Sequence, residues 1–276
     1  MLPARTSFII ATILFFSIGL LWQANAWGKQ TEIKHYLTAG IDLFRWQEFD
    51  ANQTRLLSEQ GPRLSLQAGW DDVLSADRFG QINLRARLYS GDINYDGQTQ
   101  SLLDPTKDGI FISSTSRYDG FGAELENLHP LNNHHNVALF LGLGVDLWRR
   151  DIQDSIDAQG NPAGGFKEDY QVLYSRLGLQ RQDHGIYGSS QIRFGIKYPL
   201  RIDEQVIGIT LHPGQDWSLF ASYRLNLANH SSTIVEIYYD SLRLATSPII
   251  TDQYGASWLQ PQSHQDSIGI MIGRPF

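Results

Sequence analysis

Large apolar residues alternate with polar or small residues along ten stretches of the chain. The clearest example has an apolar side chain at every odd position from Val137 to Leu147. A period of two predicts β-strands, because successive side chains of a strand point to opposite faces, whereas a helix needs spacings of three and four. The other stretches are 37–44, 63–70, 81–88, 121–126, 173–180, 192–198, 217–226, 235–240 and 268–276.

Shorter and longer links alternate between these stretches. The shorter links lie near 75–80, 127–136, 183–189 and 229–232, and the longer ones near 50–61, 98–110, 151–169, 202–216 and 248–263. An even number of strands joined in this way predicts one all-β domain. We expect a single antiparallel, up-and-down transmembrane β-barrel of about ten strands, with a closed or narrow polar lumen and both termini at the end of the shorter turns.

The N-terminal residues 1–26 are typical of a cleavable signal peptide. Arg5 precedes an apolar stretch, and Ala24-Asn25-Ala26 is a small-residue cleavage site. An uncleaved anchor is the alternative, but the stretch is short for a span of about 20 residues. The barrel domain would then comprise residues 27–276. It contains no cysteine, and the formal charge of -7 argues against a nucleic-acid partner.

The same alternation also suits a soluble β-sandwich, whose apolar strand faces pack on each other. Aromatic residues at the strand ends favour a membrane barrel, because Trp and Tyr collect at the boundary between lipid and water. We expect a role at this boundary for Trp46, Trp70, Trp148, Tyr198, Trp217, Tyr239 and Phe276.

The chain resembles the outer-membrane β-barrel proteins of Gram-negative bacteria, in particular ten-stranded barrels without an assigned activity. The resemblance rests on the signal ending Ala24-Asn25-Ala26, the alternating strands, the terminal Ile272-Gly-Arg-Pro-Phe276, and the stretches 95–100 and 147–151. It implies a porin-like membrane protein in the cell outer membrane, surrounded by lipid and lipopolysaccharide. It also implies that the barrel-assembly machinery recognises the C-terminal strand. The oligomeric state stays open.

Charged residues on the opposite strand faces predict a polar lumen with seven bases and seven acids. One interpretation is a network of ion pairs that fills a small barrel, since a buried charge is costly unless it is paired. The other is a narrow pore or an internal binding site, although ten strands are far fewer than the 16–18 that leave an aqueous channel. The residues are Asp42, Arg63, Asp71, Arg85, Arg87, Glu124, Glu126, Asp146, Arg176, Arg193, Lys197, Arg224, Glu236 and Asp240.

Two groups of residues have a weak likeness to metal sites. Asp92-Ile-Asn-Tyr-Asp-Gly97 matches the opening of an EF-hand loop, but the twelfth position is Leu103 instead of a glutamate. A polar hairpin end is the simpler interpretation. His129, His134 and His135 fall in one predicted turn, where a chance cluster is the better explanation. We therefore expect neither a metal nor a cofactor.

Catalytic signals are equally weak, so no catalytic residue is assigned. Ten-stranded outer-membrane barrels include the omptin proteases, whose site pairs acids with an Asp–His couple at the outer rim. Asp183-His184 falls on a predicted periplasmic turn, which is the wrong end. Two longer links hold other combinations, namely Asp203 and Glu204 with His212, and Asp252 with His264. A serine hydrolase motif G-x-S-x-G is absent from the sequence.

The sequence thus leaves three functional hypotheses. The first is an integral outer-membrane protein with a structural or surface-interaction role through its external loops. The second is a narrow channel for small solutes. The third is a hydrolase at the rim, either an omptin-like protease or a lipid deacylase. Trp148-Arg149-Arg150, at a predicted outer rim, could contact anionic lipopolysaccharide, although basic residues beside an aromatic belt are also ordinary membrane anchoring.

Overall fold

The computed structural model describes residues 34–76, 80–99, 109–131, 136–185, 188–227 and 233–276. The predicted signal peptide, 1–26, lies outside these ranges. So do Leu103, His134 and His135. No helix in the described part of the chain is long and apolar enough to cross a membrane.

Ten long strands form a closed antiparallel barrel in the described residues. Each strand pairs with the next along the chain, and the last pairs with the first. This confirms the predicted all-β, up-and-down barrel. The strands are β1 Lys34–Phe49, β2 Arg55–Ala76, β3 Gly80–Gln98, β4 Phe111–Pro130, β5 Val137–Ile152, β6 Phe166–Gly185, β7 Gly188–Val206, β8 Ser218–Leu227, β9 Thr233–Ala245 and β10 Gln262–Pro275.

Several short strands lie at the end of the barrel that is opposite the termini. Ser155–Ile156 pairs with Pro162–Ala163, and Ile250–Thr251 pairs with Ser257–Trp258. Ile209–Leu211 turns back onto β7, and Gly214–Gln215 pairs with β9. We call this the distal end.

An aliphatic belt surrounds the half of the barrel nearer the termini. Its members are the outward-facing residues from Leu37 to Leu43 on β1 and their neighbours on the other strands. The exposed fractions reach 67% at Leu43 and 69% at Leu64. Exposed aliphatic side chains around a closed barrel are the signature of a lipid-facing surface. They also exclude the sandwich, in which these faces would be buried.

The polarity of the two strand faces inverts above the belt. On β1, Asp42 faces inward and Leu43 outward, but four residues later Trp46 faces inward and Gln47 outward. The wall of this distal half carries polar residues outside and a cluster of buried apolar residues inside. The cluster comprises Phe44, Trp46, Leu57, Tyr89, Ile93, Tyr95, Ile112, Tyr118, Trp148, Ile152, Tyr170, Val172, Tyr174, Ile202, Leu242 and Leu244.

The inversion explains why the strands are longer than the predicted stretches. The strand β2 has 22 residues, and the link from β1 shrinks to residues 50–54. The calcium-like stretch, interpreted above as a hairpin end, instead lies within β3. Asp92, Asn94 and Asp96 point outward there, while Ile93 and Tyr95 enter the core.

Candidate functional site

The barrel interior at the level of the belt contains the predicted charges in compact groups. Asp42 accepts hydrogen bonds from Arg63 Nε at 3.0 Å and from Arg87. Glu126 lies 2.6 Å from Arg193 Nη2 and 3.8 Å from Arg85 Nη2. Each carboxylate therefore links its own strand to an adjacent strand and to a more distant one: Asp42 links β1 to β2 and β3, and Glu126 links β4 to β3 and β7.

The remaining charges form two further groups. Asp240 pairs with Lys197 and, at 3.1 Å, with Arg176, which also contacts Glu124. Arg224 lies 2.8 Å from Glu236 and 3.6 Å from Asp71. Thirteen of the fourteen predicted charges thus take part in an ion pair.

Asp146 is the fourteenth charge, and it has a different partner. Its Oδ1 accepts a hydrogen bond from the Tyr89 hydroxyl at 2.9 Å. Burial of a polar group is costly without a hydrogen bond. Tyr89 therefore provides Asp146 with the hydrogen-bond donor that the arginines provide to the other carboxylates. Seven acids therefore face seven bases at the level of the belt, where the interior is close to neutral.

Tyrosines seal the interior by lying over glycines of the neighbouring strand. Tyr36 is paired with Gly69 across β1 and β2, and a Cβ added to Gly69 would lie 1.9 Å from Tyr36 Cζ. Only glycine allows this close approach. The same arrangement joins Tyr89 to Gly120, Tyr174 to Gly144 and Tyr238 to Gly269.

A cavity of about 110 Å³ remains between these groups. Arg87, Glu124, Asp146, Lys197 and Asp240 are among its lining residues. Toward the termini lies a second apolar cluster, formed by Leu128, Ala138, Phe140 and Phe220. Toward the distal end, the aromatic core lies over the cavity. The cavity thus lies between two apolar clusters along the barrel axis.

A second charged cluster, which the sequence analysis missed, lies in the distal core. Arg150 is 1% exposed and contacts three glutamates. Its Nη1 donates to Glu48 at 3.0 Å and to Glu168 at 2.8 Å, and its Nε donates to Glu59 at 3.1 Å. One guanidinium thus bridges three buried carboxylates, so acids outnumber bases in this cluster. The alternation contained the signal, since Arg150 follows the inward Asp146 by four residues on the same strand face.

Neutral donors supply the rest of this acid cluster. Trp46 Nε1 donates to Glu48 at 2.8 Å, and the Tyr170 hydroxyl donates to Glu168 at 3.1 Å. Glu59 also accepts bonds from Ser116 and Tyr118. Glu204 lies beside the cluster. With the Gln260 amide in the orientation that satisfies both its nitrogen and its oxygen, the Gln260 nitrogen donates to the two Glu204 carboxylate oxygens at 3.1 Å.

The predicted position at the lipid boundary is wrong for two of the aromatic residues, Trp46 and Trp148. Trp46 is 0% exposed and Trp148 is 4% exposed, and both lie in the distal core. Trp148 stacks on Tyr170 with ring centroids 4.7 Å apart. They point inward because the interior of the distal half is apolar. The sequence-based prediction assumed that apolar side chains face lipid on the outside along the whole strand.

The other predicted aromatics lie on the outer surface. Tyr198 and Trp217 make a ring contact at 4.6 Å, and the Tyr239 hydroxyl donates to Asp266 at 2.8 Å. These three lie at the distal edge of the belt. Trp70 lies near the terminal edge, and Phe276 there stacks on His35 at 5.7 Å.

The predicted acid–histidine combinations do not assemble an enclosed site. His212 Nδ1 lies 2.9 Å from Asp203 Oδ1, but the side chain of His212 is 59% exposed. Asp203 faces outward, while Glu204 is buried inside the wall. The acids on which a rim site would depend are therefore on opposite faces of β7.

The remaining candidate residues are engaged elsewhere. In the last long loop, a hydrogen bond from Trp258 Nε1 at 3.0 Å, together with backbone N–H groups, holds the pKa of Asp252 below its usual value. His264 instead contacts Phe49. Asp183, at the terminal end of β6, pairs with Arg181 at 2.9 Å. No group of three or more His, Asp or Glu side chains in the described residues is placed to hold a metal.

Comparison with known proteins yields a likeness of fold. No protein-family model matches the chain, and no curated protein sequence does either. Among solved structures, the outer membrane protease OmpT from Escherichia coli matches with a TM-score of 0.50 and 11% identity, over 90% of this chain and 99% of that one.

Other solved barrels match with lower scores. An outer membrane channel from Pseudomonas putida F1 has a TM-score of 0.44 and 7% identity, over 90% of this chain and 97% of that one. The transport unit of the autotransporter AIDA-I from Escherichia coli has a TM-score of 0.42 and 10% identity, over 93% and 96%. The chain has the fold of the bacterial outer-membrane β-barrels.

Proposed function

We propose that the protein is an integral outer-membrane barrel with a closed interior, and that it has a structural or surface-interaction role through its external half. The observation that carries the proposal is the inversion of polarity along the strands. The aliphatic belt suits lipid, and the wall above it suits water. The distal half would therefore stand outside the cell, with both termini in the periplasm, as in barrels with short periplasmic turns.

The filled interior favours this role over a channel for solutes. A conducting lumen needs a continuous polar path, whereas the distal core packs Trp46, Trp148 and Tyr170 around Arg150. Below that core, the charged groups form ion pairs around a cavity of about 110 Å³. Partners would then meet the external wall and loops, since the described interior has no large open chamber.

A hydrolase finds less support. The Asp203–His212 contact is a general-base couple in composition, but it sits on an exposed surface. No second acid from across a cleft joins it in the described residues, because Glu204 points into the core. A general base acts only within hydrogen-bond reach of a bound substrate, and the cavity described above does not include this couple.

Cysteine labelling tests both the membrane placement and the closed lumen. The chain has no cysteine of its own, so each introduced thiol is unique. Leu64 and Ser65 are neighbours on β2, one 69% exposed toward the belt and the other 6% exposed toward the interior. In protein refolded into vesicles, neither Leu64→Cys nor Ser65→Cys should react with a charged, water-soluble maleimide, because the thiolate forms only where water reaches it. A fluorophore attached to Leu64→Cys before refolding should be quenched by nitroxide-bearing lipids, whereas Ser65→Cys should react with the maleimide only after the protein is unfolded.

The matched control is Gln60→Cys, on the outward face of β2 above the belt. It should react rapidly with the charged reagent. Rapid reaction of Ser65→Cys with that reagent would show that water reaches the interior, and would reject the closed barrel. Rapid reaction of Leu64→Cys with it would reject the lipid-facing belt.

A further inference from the structure

Charged residues form a rim on the outer surface directly above the aliphatic belt. At most places in this rim, acids match or outnumber bases. Arg149 makes a two-point contact with Asp169 at 2.8 and 2.9 Å, and Lys167 lies 2.7 Å from Asp151. Arg117 contacts two acids, Asp119 at 2.9 Å and Asp92 at 3.8 Å. These sectors leave no excess of positive charge.

The sector formed by β9, β10 and β1 differs. Arg45 Nη2 and Arg243 Nη2 both contact Asp266, at 2.8 and 2.6 Å. The Tyr239 hydroxyl also donates to this carboxylate, at 2.8 Å. Two guanidinium groups share one carboxylate, so the group carries a net positive charge. The nearby Asp216 accepts the backbone N–H of Trp217 at 2.7 Å and is not among the described ion pairs.

The position of this group is as informative as its charge. Arg45 is the next outward residue after Leu43, and Asp266 is the next before Ile268, which is 58% exposed. The side chain of Arg45 is 50% exposed, whereas that of Asp266 is 11% exposed. Arg45 thus presents donors to the surroundings at the height where the aliphatic surface ends, while the balancing acid lies beneath it.

We propose that Arg45 and Arg243 bind the phosphate-monoester head group of an outer-leaflet lipid. This inference rests on the proposed function, because it requires the belt to lie in a membrane. A guanidinium can donate two parallel hydrogen bonds to a phosphate, and such charge-assisted bonds are about twice as strong as neutral ones. Arg243 is held by Asp266 and by the Gln265 carbonyl at 2.6 Å, so its position is fixed before the lipid arrives.

This assignment replaces the lipid contact predicted from Trp148-Arg149-Arg150. Arg150 lies in the core with Trp148, and Arg149 is balanced by Asp169. The lipopolysaccharide expected from the sequence belongs to the proposed ligand class, since its lipid moiety carries phosphate monoesters. The site is therefore assigned to another sector of the barrel, but to the same side of the belt.

Native mass spectrometry of the detergent-solubilised protein tests the site. The probes are phosphatidic acid and diacylglycerol with the same acyl chains, which differ in the phosphate monoester alone. The wild-type protein should bind phosphatidic acid at least about tenfold more tightly than diacylglycerol. The variant carrying both Arg45→Gln and Arg243→Gln should lose this preference, and Arg45→Gln alone should lose most of it while leaving the Arg243–Asp266 pair in place.

Arg149→Gln is the matched control, because it removes a rim arginine that has its own carboxylate. It should keep the preference. Inorganic phosphate at the same concentration as the lipid should not displace phosphatidic acid, because the acyl chains on the belt contribute to binding; full displacement would show a free-phosphate site and overturn the lipid assignment.

Failures of the two proposals are distinguishable. Insertion into phosphatidylcholine vesicles without any preference for phosphatidic acid would overturn the site and leave the closed membrane barrel standing. An equal loss of preference in Arg149→Gln would also overturn it, by showing a diffuse charge effect. Failure to insert at all would overturn the proposed function and the site together.

Discussion

Replacing Arg150 with leucine is expected to destabilise the folded barrel by about 3–5 kcal/mol. Among the described residues, Arg150 is the one base that contacts Glu48, Glu59 and Glu168, all of which are buried, and the substitution removes it. Their carboxylates would remain inside an aromatic core without a counter-charge, and they would repel one another. The loss should be largest at neutral and alkaline pH, because protonation of the carboxylates relieves the repulsion.

Urea unfolding measured by tryptophan fluorescence reports this change directly, since Trp46 and Trp148 lie beside Arg150. The neighbouring variant Arg149→Leu is the control. It breaks a pair at the surface, where side chains of Arg149 and Asp169 are 36% and 31% exposed, so its cost should be about 0–1 kcal/mol. Equal effects of the two substitutions would contradict the buried cluster and, with it, the closed distal half.

Replacing Gly69 with valine should cost about 3 kcal/mol or more in the free energy of unfolding. The new Cβ would collide with the ring of Tyr36, which is 2% exposed and has no room to move aside. Displacement of the ring would also break the bond that the Tyr36 oxygen accepts from Arg224 at 2.7 Å. The costs of overpacking and of the lost charged hydrogen bond would therefore both lower the free energy of unfolding.

The control for this substitution is Ala68→Val, one residue away on the outward face of the same strand. The larger side chain there would meet lipid, and it should change the free energy of unfolding little. The comparison is made on refolded protein by the same urea titration. A mild effect at Gly69 would mean that the interior is loose enough to repack around a valine, which the closed lumen does not permit.

The sequence predicts the belt region well, because the period of two there indicates both that the segments are strands and which of their faces meets lipid. On β5, the odd residues from Leu139 to Val145 meet the surroundings, while Gly142, Gly144 and Asp146 face inward. The inward placement of charges such as Asp42 and Arg63 follows from this alternation alone. Which acid pairs with which base does not follow, because Arg63 and Asp42 meet through the register of β1 and β2.

The distal half was less predictable, since its alternation continues with the opposite polarity. For this reason the sequence predicts Trp46 and Trp148 at the lipid boundary, and it predicts a hairpin end where the structure has the strand through Asp92 and Asp96. A period of two identifies a strand but does not say which face is lipid, core or water. The aromatic core, and the acid cluster around Arg150, required the three-dimensional closure of the barrel.

Conductance of the refolded protein without residues 1–26, measured in a planar bilayer, is the most direct test of the closed interior. Insertion is first established by the quenching, by nitroxide-bearing lipids, of a fluorophore attached to Leu64→Cys before refolding. The proposed closed barrel predicts no discrete current steps at any salt concentration. Discrete steps that grow with salt concentration would show a continuous water path past Arg87 and Asp146, and would contradict the central proposal.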